Sequence, residues 1–306
     1  MSVYNGARYL RASLDSVIGQ QGVDHEVIAV NDGSTDESGQ ILMEYAARDT
    51  RLRVLQQDNT GLTRALIRGC AEARGRYIAR HDADDLSSPG RLKLQAEYLA
   101  SHPSVTLAGC WTRYIGPEEE ELFLWMRDET PDEATRQLRA ARLRNLRGLG
   151  GHGSAMFRRD DYVSVGGYRP QFYFAQDLDL WSRLTERGHV GFVREFLYAW
   201  RVTPTSITGR YRDEQAKTAR LILDMARLRA DGCAEEALLD RAARIRPGLL
   251  KAERPTRAAA KGYYFIGKCL MDRGDERCVP YLARSARLRP LQVRAWLALL
   301  RWSLRS

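Results

Sequence analysis

The stretch YIARHDADDLSS, residues 77–88, delivers an apolar, strand-like run into three aspartates, Asp82, Asp84 and Asp85. Like charges this close repel, so the arrangement needs compensation, and a divalent cation held by carboxylate oxygens is the usual one. The alternative is a polar strand-to-helix loop in which Asp85 or Ser88 caps the next helix. Two more acidic loops follow short apolar runs: NDGSTD at 31–36, where Asp36 could cap a helix, and QDN at 57–59.

The elements that must position these loops are legible as periodicity. Residues 9–21, 37–49, 61–73 and 89–102 carry apolar residues at helical spacing, and 25–32, 51–57, 76–82 and 104–111 are short strand-like runs. Alternation of this kind predicts an α/β fold with a parallel sheet and helices on both faces. Ligands of such sheets bind beyond the carboxyl ends of the strands, where all three acidic loops fall. The opening MSVYNGARYL offers only two residues of strand. The first strand is therefore expected to be truncated, with the true start upstream or the sheet left with an exposed edge. Between 112 and 150 the run PEEEEL reads as solvated surface and 131–147 as an exposed helix. The glycine-rich RGLGGHGS (147–154) places His152 ahead of the run SAMFRR, and GGYRPQFYFAQDLDLW joins an aromatic loop to a helix beginning near Asp177.

Charge divides the chain. Residues 1–214 hold 28 Lys and Arg against 30 Asp and Glu, whereas 215–306 hold 20 against 9, a net +11 that suits acidic lipid, nucleic acid or a polyanionic product. The reading is two domains, 1–214 and a basic α-helical region 215–306. Five cysteines without metal spacing predict free, mostly buried thiols in a reducing compartment. Residues 1–20 do not read as a signal peptide and no apolar run spans a bilayer, so a cytoplasmic location is expected, with peripheral membrane contact on that side. The last helix sets Arg294, Arg301 and Arg305 on one side, with Trp296, Leu297, Leu300 and Leu304 over much of the rest. It suits a helix lying in a membrane interface, or a terminal helix packed on its neighbours with snorkelling arginines. Nucleic acid is not expected, because no basic platform interleaved with aromatics is present.

The blocks SVYNGARYLRASLDSVIGQ, VNDGSTDES, DNTGLTRAL, RGRYIARHDADD, HGSAMFRRDDYVSVGGY and AQDLDLWSRL, in this order over residues 2–208, resemble the family 2 glycosyltransferases, inverting nucleotide-sugar enzymes of the GT-A fold. The resemblance implies that Asp82 and Asp84 are the Asp-X-Asp pair that holds Mg²⁺ or Mn²⁺, with Asp84 the direct ligand. It implies that Asp32 accepts a hydrogen bond from a uracil or thymine base, so that the donor is a UDP- or TDP-sugar. Tyr4 would stack near that base, or simply pack. Arg64 would contact phosphate, or be an ordinary exposed helix arginine. Asp177 takes the place of the general base that deprotonates the acceptor hydroxyl, Asp179 is expected to serve structure, and Trp181 lines the acceptor site or packs in the core.

One position departs from the family pattern: Thr203 stands where a histidine is common, leaving coordination to be completed by water or by His152. The implied partners are a nucleoside-diphosphate sugar and a glycan or lipid-linked acceptor in surface polysaccharide synthesis. A catalytically silent sugar-nucleotide or glycan-binding scaffold is the alternative. A nucleotidyltransferase is disfavoured, because VYNGARYL supplies no glycine-rich phosphate loop with basic residues. Residues 258–290 also loosely resemble a tetratricopeptide hairpin, with Gly267, Gly274 and Ala286 in suitable places.

Overall fold

The structure, a computed structural model, describes residues 1–140, 148–204, 211–247 and 255–304. These form two compact units. The first comprises 1–112, 125–200 and 217–245, and the second 113–124, 201–216 and 246–306.

In the first unit, β1 (Ser2–Val3), β2 (Val27–Asp32) and β3 (Leu52–Gln57) form a parallel sheet in the order β1-β2-β3. All six residues of β2 are buried, as a near-continuous apolar run covered on both faces requires. Side chains alternate along it. Val27 and Ala29 pack with Leu10, Leu14 and Val17 of α1 (Ala7–Ile18) and Ile41 and Leu42 of α2 (Ser38–Ala46). Ile28 and Val30 pack with Ala65 of α3 (Leu62–Ala71). Each valine, leucine or isoleucine so buried contributes roughly 1.5–3 kcal/mol. The first strand is short but formed: Ser2 pairs with Val30 and Val3 with Asn31, and the Val30 amide donates to the Met1 carbonyl at 2.9 Å.

The chain continues through β4 (Tyr77–Ala79), β5 (Leu86–Ser87), α4 (Arg91–Ser101), β6 (Val105–Ile115), β7 (Glu121–Trp125), α5 (Pro131–Arg139), β8 (Met156–Arg158), α6 (Arg159–Ser164), α7 (Gln176–Arg187) and β9 (His189–Arg201). Here the expectation of a purely parallel sheet fails. The order is β4-β8-β6-β9-β5, with β8 antiparallel to both β4 and β6 and β5 antiparallel to β9. An apolar run has the same side-chain pattern in either direction; the inserted partner β8, more than forty residues downstream of β6, decides it. Helix α5 starts where the sequence predicts, with Thr130 capping the Glu133 amide and Pro131 following. It is amphipathic rather than exposed, burying Ala134, Thr135 and Leu138, and the predicted continuation over 141–147 lies outside the described residues.

α8 (Arg212–Ala230) and α9 (Glu236–Ala243) follow, then α10 (Pro255–Asp272), α11 (Cys278–Leu288) and α12 (Val293–Ser303). In the second unit α10 and α11 form a helical hairpin. Leu282 seats on Gly267, the chain turns at Gly274, and Ile266, Leu270, Met271 and Cys278 share a core with Leu122 and Ala298. The acidic run 117–122 is not wholly solvated: Glu120 is buried, accepting from the Tyr281 hydroxyl at 2.5 Å. All five cysteines are free thiols, but only Cys110 and Cys278 are buried. No helix among the described residues is long and apolar enough to cross a membrane.

Candidate active site

The acidic loop after β4 is held by two arginines that are themselves buried. Arg80 pairs with the Asp82 carboxylate and donates to the His81 carbonyl at 3.1 Å. Arg91, fully buried, donates to the carbonyls of Arg80 (2.8 Å) and Gly153 (2.7 Å), to Ser87 Oγ (2.9 Å) and to Gln95 Oε1 (3.0 Å). A directed chain of donors leaves it. Because Ser87 Oγ accepts from Arg91, its hydroxyl proton is available to His81 Nδ1 at 3.1 Å. His81 Nε2–H then faces Ser13 Oγ at 2.9 Å, and Ser13 donates to the Asp82 carbonyl at 3.0 Å. This requires a neutral His81, and burial, with Arg91 beside it, pushes its pKa well below the ordinary value.

Tyr198 closes the other side, donating to Asp85 Oδ2 at 2.7 Å and accepting from the Asp82 amide at 3.2 Å. Position 153 must be glycine: a Cβ there would stand 1.8 Å from the Tyr198 hydroxyl oxygen and 3.0 Å from Asp82 Oδ2. Neither Asp85 nor Ser88 caps the next helix, because Gly90, at φ 78°, occupies the cap position of α4. Part of the charge compensation therefore comes from the chain's own guanidinium groups.

His152 lies in the 3-10 turn His152–Ser154, where its Nε2 faces Arg80 Nε at 3.3 Å and the Tyr168 hydroxyl at 2.6 Å. Burial, reinforced by Arg80, brings its pKa down to about 3, so it is neutral. With both partners on Nε2, that nitrogen is engaged inside the protein and does not present itself as a metal ligand. Asp177 is half-buried in the first turn of α7, following Ala175 at φ 52°. Its Oδ1 accepts from the Leu178 amide at 2.9 Å. A helix N-terminus lowers a carboxyl pKa, but burial, with the Asp82 charge adding to it, raises this one.

Asp179 is fully buried and paired with both Arg169 and Arg183. Arg183 also donates to the Val165 and Gly167 carbonyls, so Asp179 braces the loop before α7. Trp181 is buried, its ring edge-on to His152 at 6.1 Å between centroids.

At the end of β2, Asp32 accepts several hydrogen bonds from within the chain. Oδ1 accepts from Gln57 Nε2 (2.6 Å) and the Thr60 amide (2.9 Å), and Oδ2 from the Gly61 amide (2.9 Å), the residue that opens α3. Its carboxylate anchors the start of α3, and Oδ2 retains acceptor capacity. Gly33, at φ 71°, lies where a Cβ would be 2.6 Å from the Asn59 amide nitrogen, so the 31–36 and 57–59 loops touch. The 4–7 loop is stitched to the first of these: Asn5 N to Ser34 Oγ, Thr35 N to Asn5 Oδ1, Gly6 N to Ser38 Oγ. Asp36 takes the amides of Ala7 and Ser38, the first residues of α1 and α2. Gly6 in turn faces Ala83. The three acidic loops thus share one edge, as the strand pattern predicts. Tyr4 is 54% exposed in this loop, Arg64 is exposed on α3, and Tyr173 lies against Gly61. Thr203 follows β9, in the second unit.

The structure therefore gathers Asp82, His152 and Asp177 around Arg80 and Tyr168, with Asp84 two residues from Asp82, and sets Asp32 and Arg64 at the two ends of the β2–α3 corner. Arg80, Arg91, His81, Tyr168 and Tyr198 are the residues a motif reading passes over. An arginine two positions before an acidic triplet was the available signal for the first; Tyr198 had none.

Among the described residues, no three His, Cys, Asp or Glu side chains are grouped to hold a metal. Asp82, whose Oδ1 faces Arg80, and Asp84 remain, two hard oxygen donors. That set fits Mg²⁺ or Mn²⁺, which bind through one or two carboxylates with water and substrate phosphate completing the sphere.

The chain matches Glycosyl transferase family 2 over residues 1–165. It is 32% identical over 216 residues to EpsJ of Bacillus subtilis (strain 168), an uncharacterized glycosyltransferase, covering 67% of this chain and 61% of EpsJ. The structure of S. aureus TarS 1–349 in complex with UDP is similar with a TM-score of 0.57 and 19% identity, over 97% of this chain and 86% of that one. The mannosyltransferase PcManGT from Pyrobaculum calidifontis, in complex with GDP-Man and Mn²⁺, is similar with a TM-score of 0.54 and 18% identity, over 99% and 83%. At these identities the two structures speak to fold alone.

Proposed function

The chain belongs to glycosyl transferase family 2 and has an α/β fold of the GT-A type, and from that premise we propose an inverting transfer of a sugar from a nucleoside diphosphate to a glycan or lipid-linked acceptor. The acceptor oxygen attacks the anomeric carbon, the bond from that carbon to the diphosphate oxygen breaks, and the acceptor proton passes to Asp177. The observation that carries this reading is the raised Asp177 carboxyl beside the Asp82–Arg80–His152–Tyr168 cluster. A base is more effective when its pKa lies nearer the working pH. Burial there also weakens competition from water.

Asp84 and Asp82 would hold Mg²⁺ or Mn²⁺, whose role is to stabilise charge on the departing diphosphate. Arg80 positions Asp82 by its ion pair, and neutral His152, which already accepts from within, supports Arg80 rather than ligating. Asp32 and Tyr4 are assigned to the nucleotide base, with uracil or thymine as its class, and Arg64 to phosphate. TarS was solved with UDP and PcManGT with GDP-Man and Mn²⁺, which supports a nucleotide-sugar donor and a divalent cation here. A cytoplasmic location and a role in surface polysaccharide synthesis belong to the same reading.

Calorimetric titration with UDP, with and without Mn²⁺, on wild type and Asp84→Ala tests the donor site, followed by screening UDP- and TDP-sugars for turnover. Metal-enhanced UDP binding lost in Asp84→Ala, with turnover lost in Asp177→Asn, is the expected result. Binding without turnover of any donor would instead mark a sugar-nucleotide-binding scaffold. Absence of binding to UDP, TDP and GDP alike would overturn the proposal.

A further inference from the structure

The C-terminal helix carries an unpartnered apolar face in a segment stripped of negative charge. From Arg277 to Ser306 the chain has seven arginines, no lysine and no aspartate or glutamate. On α12, Ala295 and Ala298 are buried and turn inward. Outward stand Val293 (63% exposed), Trp296 (50%), Leu297 (46%), Leu300 (56%) and Leu304 (79%), with Leu291 (90%) just ahead of the helix. At about 100° per residue these five helix-face positions fall within an arc of roughly 100°, opposite the buried alanines. Arg294 and Arg301, both exposed, lie together along one flank of the arc; Arg305 lies outside the described residues. The Trp296 indole N–H already donates to the Pro290 carbonyl at 2.9 Å, so the exposed part of that ring is its apolar part.

A solvated helix face has no reason to carry three leucines, a valine and a tryptophan side by side. The occupant must be apolar opposite the stripe and negative opposite its arginine flank. A second copy of the same face fails the second condition, because it brings another positive flank of Arg294 and Arg301 rather than a negative one. Nucleic acid fails the first. We propose that α12 lies in the interface of an anionic lipid bilayer, its Val293–Trp296–Leu297–Leu300–Leu304 face inserted at the headgroup boundary and Arg294 and Arg301 reaching up to acidic headgroups. No helix crosses the membrane in this arrangement; the contact is reversible and weakened by salt. It does not depend on the reaction assigned to the first unit.

The test is co-sedimentation of the 306-residue chain with vesicles of phosphatidylcholine alone and of phosphatidylcholine with one part in four phosphatidylglycerol. Pelleting with the anionic vesicles, little with the neutral ones, and release at high salt are expected. Leu297→Glu with Leu300→Glu should abolish pelleting, and Arg294→Gln with Arg301→Gln should weaken the partition by roughly fivefold per charge removed. All four side chains are exposed, so unchanged thermal melts by circular dichroism show that the fold is retained. Light that Trp296 emits supplies an independent readout: brominated lipid should quench wild type more than Trp296→Phe. Failure to pellet with anionic vesicles, or pelleting that survives Leu297→Glu with Leu300→Glu, overturns the proposal. So does light scattering that shows a dimer lost in that double variant, which would assign the face to self-association.

Discussion

Arg80 and Arg91 in the first unit are 2% and 0% exposed, and their hydrogen bonds run to a carboxylate, a serine hydroxyl, a glutamine and main-chain carbonyls of the acidic loop and its neighbours. Arg294 and Arg301 in the second unit stand exposed on α12, in a stretch without one acidic residue. The residue type is the same, and the surroundings make it two different tools. A guanidinium taken out of water loses several kcal/mol of hydration unless its donors are met, so once buried it fixes the geometry of whatever meets it. An exposed one keeps its hydration, fixes nothing locally, and acts on charge within a Debye length. Acidic residues of the first unit can therefore sit side by side at a working edge. The basic segment of the second unit acts as a surface.

Substitutions break that contrast in graded steps. The largest effect is expected from Arg91→Met, which strips donors from two carbonyls, a hydroxyl and an amide oxygen in the interior. At about 1–3 kcal/mol for each orphaned group, the loss approaches a whole domain's stability. Denaturant titration checks it, and a loss below about 1 kcal/mol would mean that the network does not hold the loop.

Asp177→Asn comes next. It should lower turnover about 10²–10⁴-fold while leaving the melt nearly unchanged. In wild type, the base works only when deprotonated, so kcat/KM should rise with pH. Because burial and Asp82 raise the folded carboxyl, that rise is centred above the ordinary 3.8. A rise centred at or below 3.8 would remove Asp177 as the base.

Arg80→Met should cost less than Arg91→Met, about 1–3 kcal/mol, because the Asp82 side chain it abandons is 29% exposed and water can partly replace the ion pair. Its sharper signature is in binding: loss of this cation should weaken metal-free UDP binding and strengthen Mn²⁺ binding, both measurable by calorimetry. Parallel weakening of both would reduce Arg80 to a packing residue. Smallest of all, Arg294→Gln with Arg301→Gln should change stability by less than about 0.5 kcal/mol, as surface substitutions do. A large drop in melting temperature would show these arginines to be structural after all.

Much of this was open to a reader of the sequence. The strands and helices of residues 9–102 follow from local periodicity, and the common edge of the 31–36, 57–59 and 82–85 loops follows from alternation. The rest depended on partners far along the chain. Tyr198, 113 residues from Asp85, donates to it; Gly153 is needed because that tyrosine passes close by; His152, a candidate ligand by motif, has its Nε2 engaged by Arg80 and Tyr168. Glu120, one of four consecutive glutamates, is buried because Tyr281 reaches it.

By itself the amino-acid sequence determined most elements of residues 9–102, the acidic edge, and the separation of a near-neutral front from a basic, arginine-rich end, because periodicity and composition are properties of near neighbours in the chain. Tertiary structure alone decided which arginines are buried, which way β8 runs between β4 and β6, and whether the Asp177 carboxyl moves up or down. Each of those depends on the water a group loses and the charges it meets on folding, and both are set by residues that the chain brings together only when it packs.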